Sequence, residues 1–147
     1  MEDGMSKLVE LMSSGTASTI SLAISILYII AEWKILSKAG EPGWKALIPI
    51  YNIYMQYKIS WKGSVFWGIL GLIVLEGILT GIGGIGLALS GIIGIALFII
   101  SIMSLYYLSK SFGHGVGFTL GLLLLSPIFI LILGLGSSRY VGNGSQM

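Results

Sequence analysis

Residues 63–108 read GSVFWGILGLIVLEGILTGIGGIGLALSGIIGIALFIISIMSLYYL, and Glu76 is the single charged residue among them. A helix needs about 20 apolar residues to cross the roughly 30 Å hydrocarbon core of a bilayer. The stretch is long enough for two such helices, and the glycine-rich positions 81–84 supply a turn between them. It therefore predicts two membrane-spanning helices, over about 63–80 and 84–108.

The composition of the whole chain agrees with a membrane location. Of its 147 residues, 55% are hydrophobic and 10% are charged, and it has 22 glycines and no cysteine. A soluble domain has about 25% charged residues, and a globule with so few charges would expose large apolar patches to water. A soluble enzyme, a nucleic-acid-binding protein and a disulfide scaffold are therefore disfavoured. We expect a single all-α membrane domain over 1–147, since backbone polar groups in a bilayer must be paired within their own helix.

Two further stretches without acidic or basic clusters, about 17–36 and 117–136, are also long enough to cross a bilayer, which brings the predicted spans to four. The first does not look like a signal peptide, because its leading residues are acidic and Ala31-Glu32-Trp33 is not a small-x-small cleavage site. We therefore expect a permanent helix there. Pro127 lies inside the fourth span and predicts a kink.

The lysines and the arginine predict an orientation. Six of them lie on one side of the predicted bundle and two, Lys7 and Arg139, on the other; the six are Lys34, Lys38, Lys45, Lys58, Lys62 and Lys110. Because positive residues favour the cytoplasmic side, we expect the 32–62 segment and the 109–116 loop in the cytoplasm of a multi-pass cell-membrane protein. Both termini and the turn near residue 83 are then outside.

The 32–62 segment carries seven of the fourteen charges and most of the unusual chemistry. Pro49 suits the first turn of a helix, and the spacing predicts an amphipathic interfacial helix over about 49–61. Its predicted apolar face holds Ile50, Ile53, Tyr54, Tyr57 and Trp61, and the other face holds Asn52, Gln56, Lys58 and Lys62. Two interpretations stay open, an anchor for the first hairpin or a docking surface. The candidate docking residues are Trp33, Lys34, Lys38, Trp44, Pro49, Tyr51, Asn52 and Tyr54.

Two stretches resemble a family of small, uncharacterised bacterial integral membrane proteins. Residues 28–54 read YIIAEWKILSKAGEPGWKALIPIYNIY and contain the pattern KAGxPGWxALIPIYNxY, and residues 108–118 read LSKSFGHGVGF. The second likeness continues through residues 121–122, 127–129 and 133–134. Two positions depart from the family, which usually has a proline before the aromatic pair near residue 66 and a lysine in place of His114. The resemblance implies a small multi-helix membrane fold and supplies no activity.

Members of that family are sometimes labelled signal peptidase I, but the residues argue against this chemistry. A Ser/Lys protease needs a serine beside a desolvated lysine, together with a domain outside the membrane that holds the substrate. The pairs Ser37/Lys38, Ser60/Lys62 and Ser109/Lys110 all lie on the predicted cytoplasmic side. One histidine and no cysteine disfavour a zinc cluster. We therefore expect no enzymatic activity, no cofactor, no metal site and no nucleic-acid partner.

Three positions are candidate sites as single residues. Glu76 is the candidate intramembrane site, since carboxylates in a membrane are rare and often mark ion or proton pathways; the alternative is a hydrated position near the outer end. Glu32 resembles it at the other end of the first span, where Lys34 and Lys38 favour a hydrated position. In the 109–116 loop, Lys110 and His114 are candidates for contact with a lipid phosphate or for sensing pH, and a solvated loop is the alternative.

Two function classes follow from these features. The first is a non-enzymatic accessory protein that docks a partner or lipid through the 32–62 segment. The second is a small oligomeric channel or transporter with Glu76 in its pathway. We favour the first, because four helices with one intramembrane carboxylate offer little to coordinate an ion. The expected partners are the lipid bilayer, a second copy of the chain, or another membrane protein.

Overall fold

The computed structural model describes residues 2–147, with side chains from residue 3 onward. Every regular element in that range is helical, which confirms the predicted class. The α-helices are α1 (Glu2–Lys38), α2 (Pro49–Ser60), α3 (Gly63–Ile82), α4 (Ile85–Ser111), α5 (Val116–Leu124) and α6 (Ser126–Leu135). Short 3-10 helices lie at Gly43–Leu47 and Gly144–Gln146.

Within the described residues, three helices are long and apolar enough to cross a membrane: α1, α3 and α4. The two predicted by residues 63–108 pack against each other as a hairpin. Their turn holds Gly83 and Gly84 at φ values of +72° and +52°, a region that glycine enters without the steric cost of a side chain. Helix α1 begins well before the predicted residue 17. Hydroxyl groups in its early turns donate to carbonyls of the same helix, as Thr16 Oγ1 does to Met12 O at 2.9 Å.

The buried residues lie together at one end of the molecule. We call this end the packed end; it comprises α1 from Tyr28 onward, the 39–62 segment, the last turns of α4, the α5–α6 pair and the C-terminal residues. Its hydrophobic core consists of Ala31, Ile35, Leu36, Ala46, Met55, Ile59, Leu108, Phe112, Leu122, Ile130 and Leu133.

The first two-thirds of α1 lies apart from the rest of the chain. Side chains 3–27 are all exposed, and α1 makes no close contact with α3 or α4 in the described structure. Helices in lipid satisfy their own backbone groups, so this part of α1 needs no protein neighbour to remain helical. Its side chains are available to lipid or to another chain.

The segment predicted as a fourth span forms two short helices in place of one long helix. Helices α5 and α6 form a helical hairpin and pack against each other, with the Phe118 and Phe129 ring centroids 5.0 Å apart. His114, just before α5, has Nε2 2.8 Å from the Oγ of Ser138, just after α6. Both ends of this helical hairpin therefore lie at the packed end. At 1.5 Å per residue, α5 extends about 13 Å, which is less than half of a hydrocarbon core.

Pro127 has a different effect from the predicted kink. It is the second residue of α6, a position where a missing N–H costs no helical hydrogen bond. The backbone leaves the helical conformation at Leu125, with φ −131° and ψ 45°. The chain therefore reverses direction before the proline, so the kink is in fact a complete turn between two helices.

The predicted position of the C-terminus needs correction. Tyr140 Oη donates to Ile59 O at 2.6 Å, Asn143 Nδ2 donates to Trp61 O at 2.6 Å, and Val141 N donates to Ser111 O at 2.8 Å. These hydrogen bonds hold the C-terminal residues against the 32–62 segment. The two segments cannot then lie on opposite sides of a membrane. Arg139, next to Tyr140, therefore belongs to the packed end together with the six lysines predicted on that side.

Candidate functional site

The 32–62 segment folds back on the end of α1. Gly40 adopts φ +80°, and Glu41 N donates to Leu36 O at 2.9 Å, which together end the helix in the manner of a glycine C-cap. The 3-10 helix that follows packs against α1, where the Trp33 ring covers Gly43 so closely that a side chain at 43 would overlap it. Helix α2 then begins at Pro49, as predicted.

The aromatic groove lies between α2 and the first turn of α3. It encloses about 280 Å³ and is lined by Ile48, Ile50, Tyr51, Tyr54, Phe66 and Trp67. The Tyr51 and Tyr54 rings are stacked with centroids 6.0 Å apart, and Tyr54 meets Phe66 edge-on at 5.7 Å. Trp44 lies next to them, 6.3 Å from Tyr51. Of the eight predicted docking residues, the structure brings Trp44, Tyr51 and Tyr54 together here.

The groove continues on the far side of Phe66 and Trp67. A second apolar cavity of about 320 Å³ extends along α2 and α3, from Ile53 and Tyr57 to Ile73. Its rim is open, since Ile50 is 71% and Trp67 64% exposed. The two cavities are neighbours, since Ile50, Phe66 and Trp67 line both of them.

A charged cluster borders this surface. Glu41 accepts from Lys45 Nζ and Lys58 Nζ, each at 2.7 Å, so one carboxylate joins the 3-10 helix to α2. The hydrogen bonds from Lys45 and Lys58 hold the pKa of the Glu41 carboxyl below its ordinary value, and the Glu41 carboxylate raises the pKa of Lys45. Lys62 is exposed one residue before α3, beside Gly63 and the Tyr54 ring that covers it. In residues 3–147 Lys62 makes no ion pair.

A polar cluster lies on the opposite side of α2, inside the packed end. Glu32 is 2% exposed, and its Oε2 accepts from Gln56 Nε2 at 2.8 Å. The Tyr28 hydroxyl and the Asn52 amide also lie within hydrogen-bonding reach of this carboxylate. Glu32 Oε1 and Asn52 Oδ1 are both buried, and neither has a hydrogen-bond donor among the described residues.

This cluster corrects the predicted faces of α2. Asn52 and Gln56 point into the packed end, with Met55 and Ile59 buried next to them, whereas Ile50 and Ile53 are exposed. The sequence predicted the opposite arrangement, with Ile50 and Ile53 on the apolar face and Asn52 and Gln56 with the lysines on the polar face of an interfacial helix. In a membrane the outward face meets lipid, and the polar residues instead turn towards the carboxylate of Glu32.

The remaining docking candidates lie elsewhere on the packed end. Lys34 is exposed on α1. Lys38 Nζ donates to Leu133 O at 2.6 Å and Gly136 O at 3.0 Å, where a positive charge complements the carbonyl end of α6. Lys38 is thus a structural contact, and Asn52 belongs to the Glu32 cluster. The predicted set of eight therefore does not form one surface: three residues lie at the groove and the other five are spread over the rest of the packed end.

The single-residue candidates are also placed by the structure. Glu76 is partly exposed on α3, with Oε1 directed at the gap that Gly94 leaves on α4, 3.4 Å from where a side chain would begin. The His114 ring stacks on Phe118 at 4.1 Å, and Lys110 Nζ lies 5.9 Å from the centre of the Tyr106 ring. Glu76 is far from the packed end, so it does not share a site with the other candidates.

The Glu32 cluster is the site that sequence reasoning missed. Its signal was present as two polar pairs at helical spacing, Tyr28/Glu32 and Asn52/Gln56, each separated by four residues. A pair four apart faces one direction, so two such pairs on consecutive helices can face each other. Nearby lysines suggested hydration instead, yet Lys38 turns to α6 and Lys34 to the surface.

Comparison with known proteins gives one match. A family model described as a family of unknown function (DUF5684) matches residues 44–143. No curated protein and no solved structure matches the chain. The match covers α2 to the C-terminal residues, and so includes the aromatic groove and one half of the Glu32 cluster.

Proposed function

The chain belongs to this family of unknown function, and we propose from the geometry of the packed end that it is a non-enzymatic membrane protein that docks anionic phospholipid. The docking surface is the aromatic groove, and Lys62 is the residue that meets the headgroup. The observation that carries the proposal is an open apolar groove near a lysine that makes no ion pair within residues 3–147.

The shape and chemistry of the groove suit an acyl chain. Its lining side chains are aromatic or aliphatic, and the exposed Ile50 and Trp67 rim would be costly in water. Tryptophan and tyrosine are enriched at the boundary between hydrocarbon and headgroups, where one edge of the ring is wet. A groove at that depth is covered by lipid as soon as the protein enters a bilayer, which favours lipid over a protein partner.

The charges near the groove suit an anionic headgroup. Lys62 precedes the N-terminus of α3, where unpaired backbone N–H groups and the helix dipole also attract negative charge. Lys45 and Lys58 share the single carboxylate of Glu41, so this cluster keeps one net positive charge, held in ion pairs, whereas Lys62 makes no ion pair within residues 3–147. One lysine near a membrane surface contributes about 1 kcal/mol towards anionic lipid, which corresponds to about fivefold in affinity.

Quenching by brominated lipids tests this proposal. The protein is placed in nanodiscs that contain brominated phosphatidylglycerol or brominated phosphatidylcholine, and tryptophan fluorescence is recorded. We expect stronger quenching by phosphatidylglycerol at equal mole fraction, and about a fivefold loss of that preference in Lys62→Gln. Trp67→Phe should remove much of the quenched signal, because Trp67 lines both cavities.

Lys7→Gln is the matched control, since Lys7 is an exposed lysine in the early turns of α1, away from the packed end. It should keep the preference of the unaltered protein. Equal quenching by both lipids in every variant contradicts the proposal. If a photo-crosslinker at position 67 captures one specific protein and no lipid, the occupant of the groove is a protein partner and the lipid proposal is wrong.

A small oligomeric channel or transporter remains a second candidate, and the position of Glu76 favours it. A carboxylate that lies in the middle of an apolar helix pair, over the gap at Gly94, is typical of ion or proton pathways. If the protein conducts, Glu76→Gln should change ion flux into proteoliposomes while Glu10→Gln does not. Unchanged flux in Glu76→Gln argues against this function.

A further inference from the structure

We propose that Glu32, Asn52 and Tyr28 form a binding site for a monovalent metal cation inside the packed end. This site is separate from the lipid-docking surface, since it lies on the other side of α2. It is carried by the burial of Glu32, by two oxygens that lack donors among the described residues, and by the lack, within residues 3–147, of a basic side chain paired with Glu32.

The two oxygens that lack donors are the first observation. Glu32 Oε1 and Asn52 Oδ1 are buried and unpaired within residues 3–147, whereas most buried polar atoms in proteins have a hydrogen-bond partner. With the Asn52 amide in this orientation and the carboxylate ionised, both atoms are acceptors and cannot pair with each other. A ligand that both oxygens bind must therefore carry positive charge or donate hydrogen bonds.

The charge of Glu32 is the second observation. Glu32 is 2% exposed, and its neighbours Ala31, Ile35 and Leu36 on the same helix are also buried. A buried charge without an opposite charge beside it costs several kcal/mol. No Lys, Arg or His of the described chain lies within ion-pair distance of it. The charged neighbours on the packed elements are engaged elsewhere or exposed: Lys34, Lys38, Lys45 and Lys58.

The donor set indicates the kind of cation. Carboxylate, amide and hydroxyl oxygens suit hard cations, and the cluster has one carboxylate, on Glu32. One negative charge balances one positive charge, so sodium or potassium leaves the site neutral. A divalent ion would leave a net positive charge buried in a low-dielectric interior, which is unfavourable.

A row of hydroxyl side chains leads along α1 to the same place. The hydroxyl side chains are spaced alternately by four and three residues, which puts them on one helix face. They are Ser14, Ser18, Ser21, Ser25 and Tyr28, and Glu32 follows at the same spacing. Ser14, Ser18 and Ser25 donate to carbonyls of their own helix, Ser18 and Ser25 at 2.8 Å. Their oxygen lone pairs remain as acceptors, so the row offers a cation a polar approach to Glu32.

Thermal unfolding in different chloride salts tests this site. The purified full chain in detergent is unfolded in sodium, potassium or choline chloride at fixed neutral pH and ionic strength, and tryptophan fluorescence gives the midpoint. We expect the midpoint to rise saturably with sodium or potassium and not with choline. Glu32→Gln should remove this rise, whereas Glu10→Gln, an exposed carboxylate on the same helix, should keep it.

A second variant covers the case in which Glu32→Gln does not fold. Asn52→Leu keeps the approximate size but removes the amide oxygen, so it should raise the cation concentration for half-maximal effect by about tenfold, the loss of one contact to a charged group. Lys62→Gln should leave the cation response unchanged, which separates this site from the lipid surface.

Three results would overturn the proposal. The first is an equal rise of the midpoint with choline, and the second is an unchanged sodium response in Glu32→Gln or Asn52→Leu. The third is a midpoint that rises on acidification in choline and shows no response to sodium or potassium at any pH. That last result would mean that a proton alone neutralises Glu32.

Discussion

At Gly134, helix α6 packs closely against α1. A side chain at this position would overlap the backbone and side chain of Ala31. Small residues allow helix backbones to approach in this way, and such contacts are a main source of helix association in membranes. The short helix α6 is held to α1 by this contact and by the two hydrogen bonds from Lys38.

Gly134→Ala should therefore destabilise the packed end. Overpacking of a close contact costs about 1–3 kcal/mol, because the methyl group must displace the α1 backbone. Gly117→Ala in α5 is the matched control, since nothing lies within 4 Å of a side chain there, and alanine favours a helix over glycine by about 1 kcal/mol. Thermal unfolding in detergent measures both, and equal midpoints for the two variants would refute the close approach of α6.

Single residues were predicted with mixed success for a physical reason. Three of the candidate docking residues, Trp44, Tyr51 and Tyr54, do lie next to one another, in keeping with the preference of such rings for the interface, but docking through them stays a prediction. The burial of Glu32 could not be predicted from the sequence, because it depends on the directions that the Lys34 and Lys38 side chains take. Lys38 reaches α6, which is 95 residues later in the chain than its own position. Spacing within one helix does not report a contact of that range.

At the scale of elements, the α5–α6 hairpin is a feature that hydropathy alone does not predict. Residues 117–136 are apolar and long enough for a span, and hydropathy does not distinguish one straight helix from two that fold back. The reversal depends on Leu125, on Pro127 starting a new helix and on Gly121, which leaves room for the Phe129 ring. A proline and a glycine can be recognised in the sequence, but the packing of α5 against α6 is a tertiary contact that the sequence of either helix does not reveal.

The connection between the 3-10 helix and α2 should weaken in acid. Lys45 and Lys58 depress the pKa of Glu41 in the folded protein, so its contribution is fully present above the unfolded pKa. It is lost as the pH falls through the lower, folded pKa. Glu41→Gln should lower the unfolding midpoint at neutral pH, and the difference from the unaltered chain should vanish in acid.

The measurement is thermal unfolding in detergent across an acid-to-neutral pH series. Glu10→Gln is the control, since no hydrogen bond to a lysine is formed by the Glu10 carboxylate in the described structure. A midpoint difference for Glu41→Gln that stays constant at every pH would mean that the carboxylate does not act through its charge.

At the scale of the whole molecule, the corrected position of the C-terminus changes the charge balance. With Arg139 at the packed end, seven of the eight basic residues lie there and Lys7 alone lies at the other end. The positive-inside preference is therefore stronger than the sequence indicated by itself. Three crossings by α1, α3 and α4 would place the N-terminus outside, and the packed end with the C-terminal residues in the cytoplasm.

The chain has no cysteine, so single introduced cysteines can test this arrangement in intact cells with a membrane-impermeant maleimide. Ser6→Cys and Ile85→Cys lie away from the packed end and should be labelled from outside, because both side chains are exposed. Ser64→Cys and Ser137→Cys should be labelled only after the membrane is permeabilised. The informative position is Ser137, since the hairpin returns the chain to the side from which α5 began, whereas a fourth span would carry it across. Labelling of Ser137→Cys from outside, together with protection of Ser64→Cys, would therefore restore the four-span topology and contradict the hydrogen bonds that join Tyr140 and Asn143 to the end of α2.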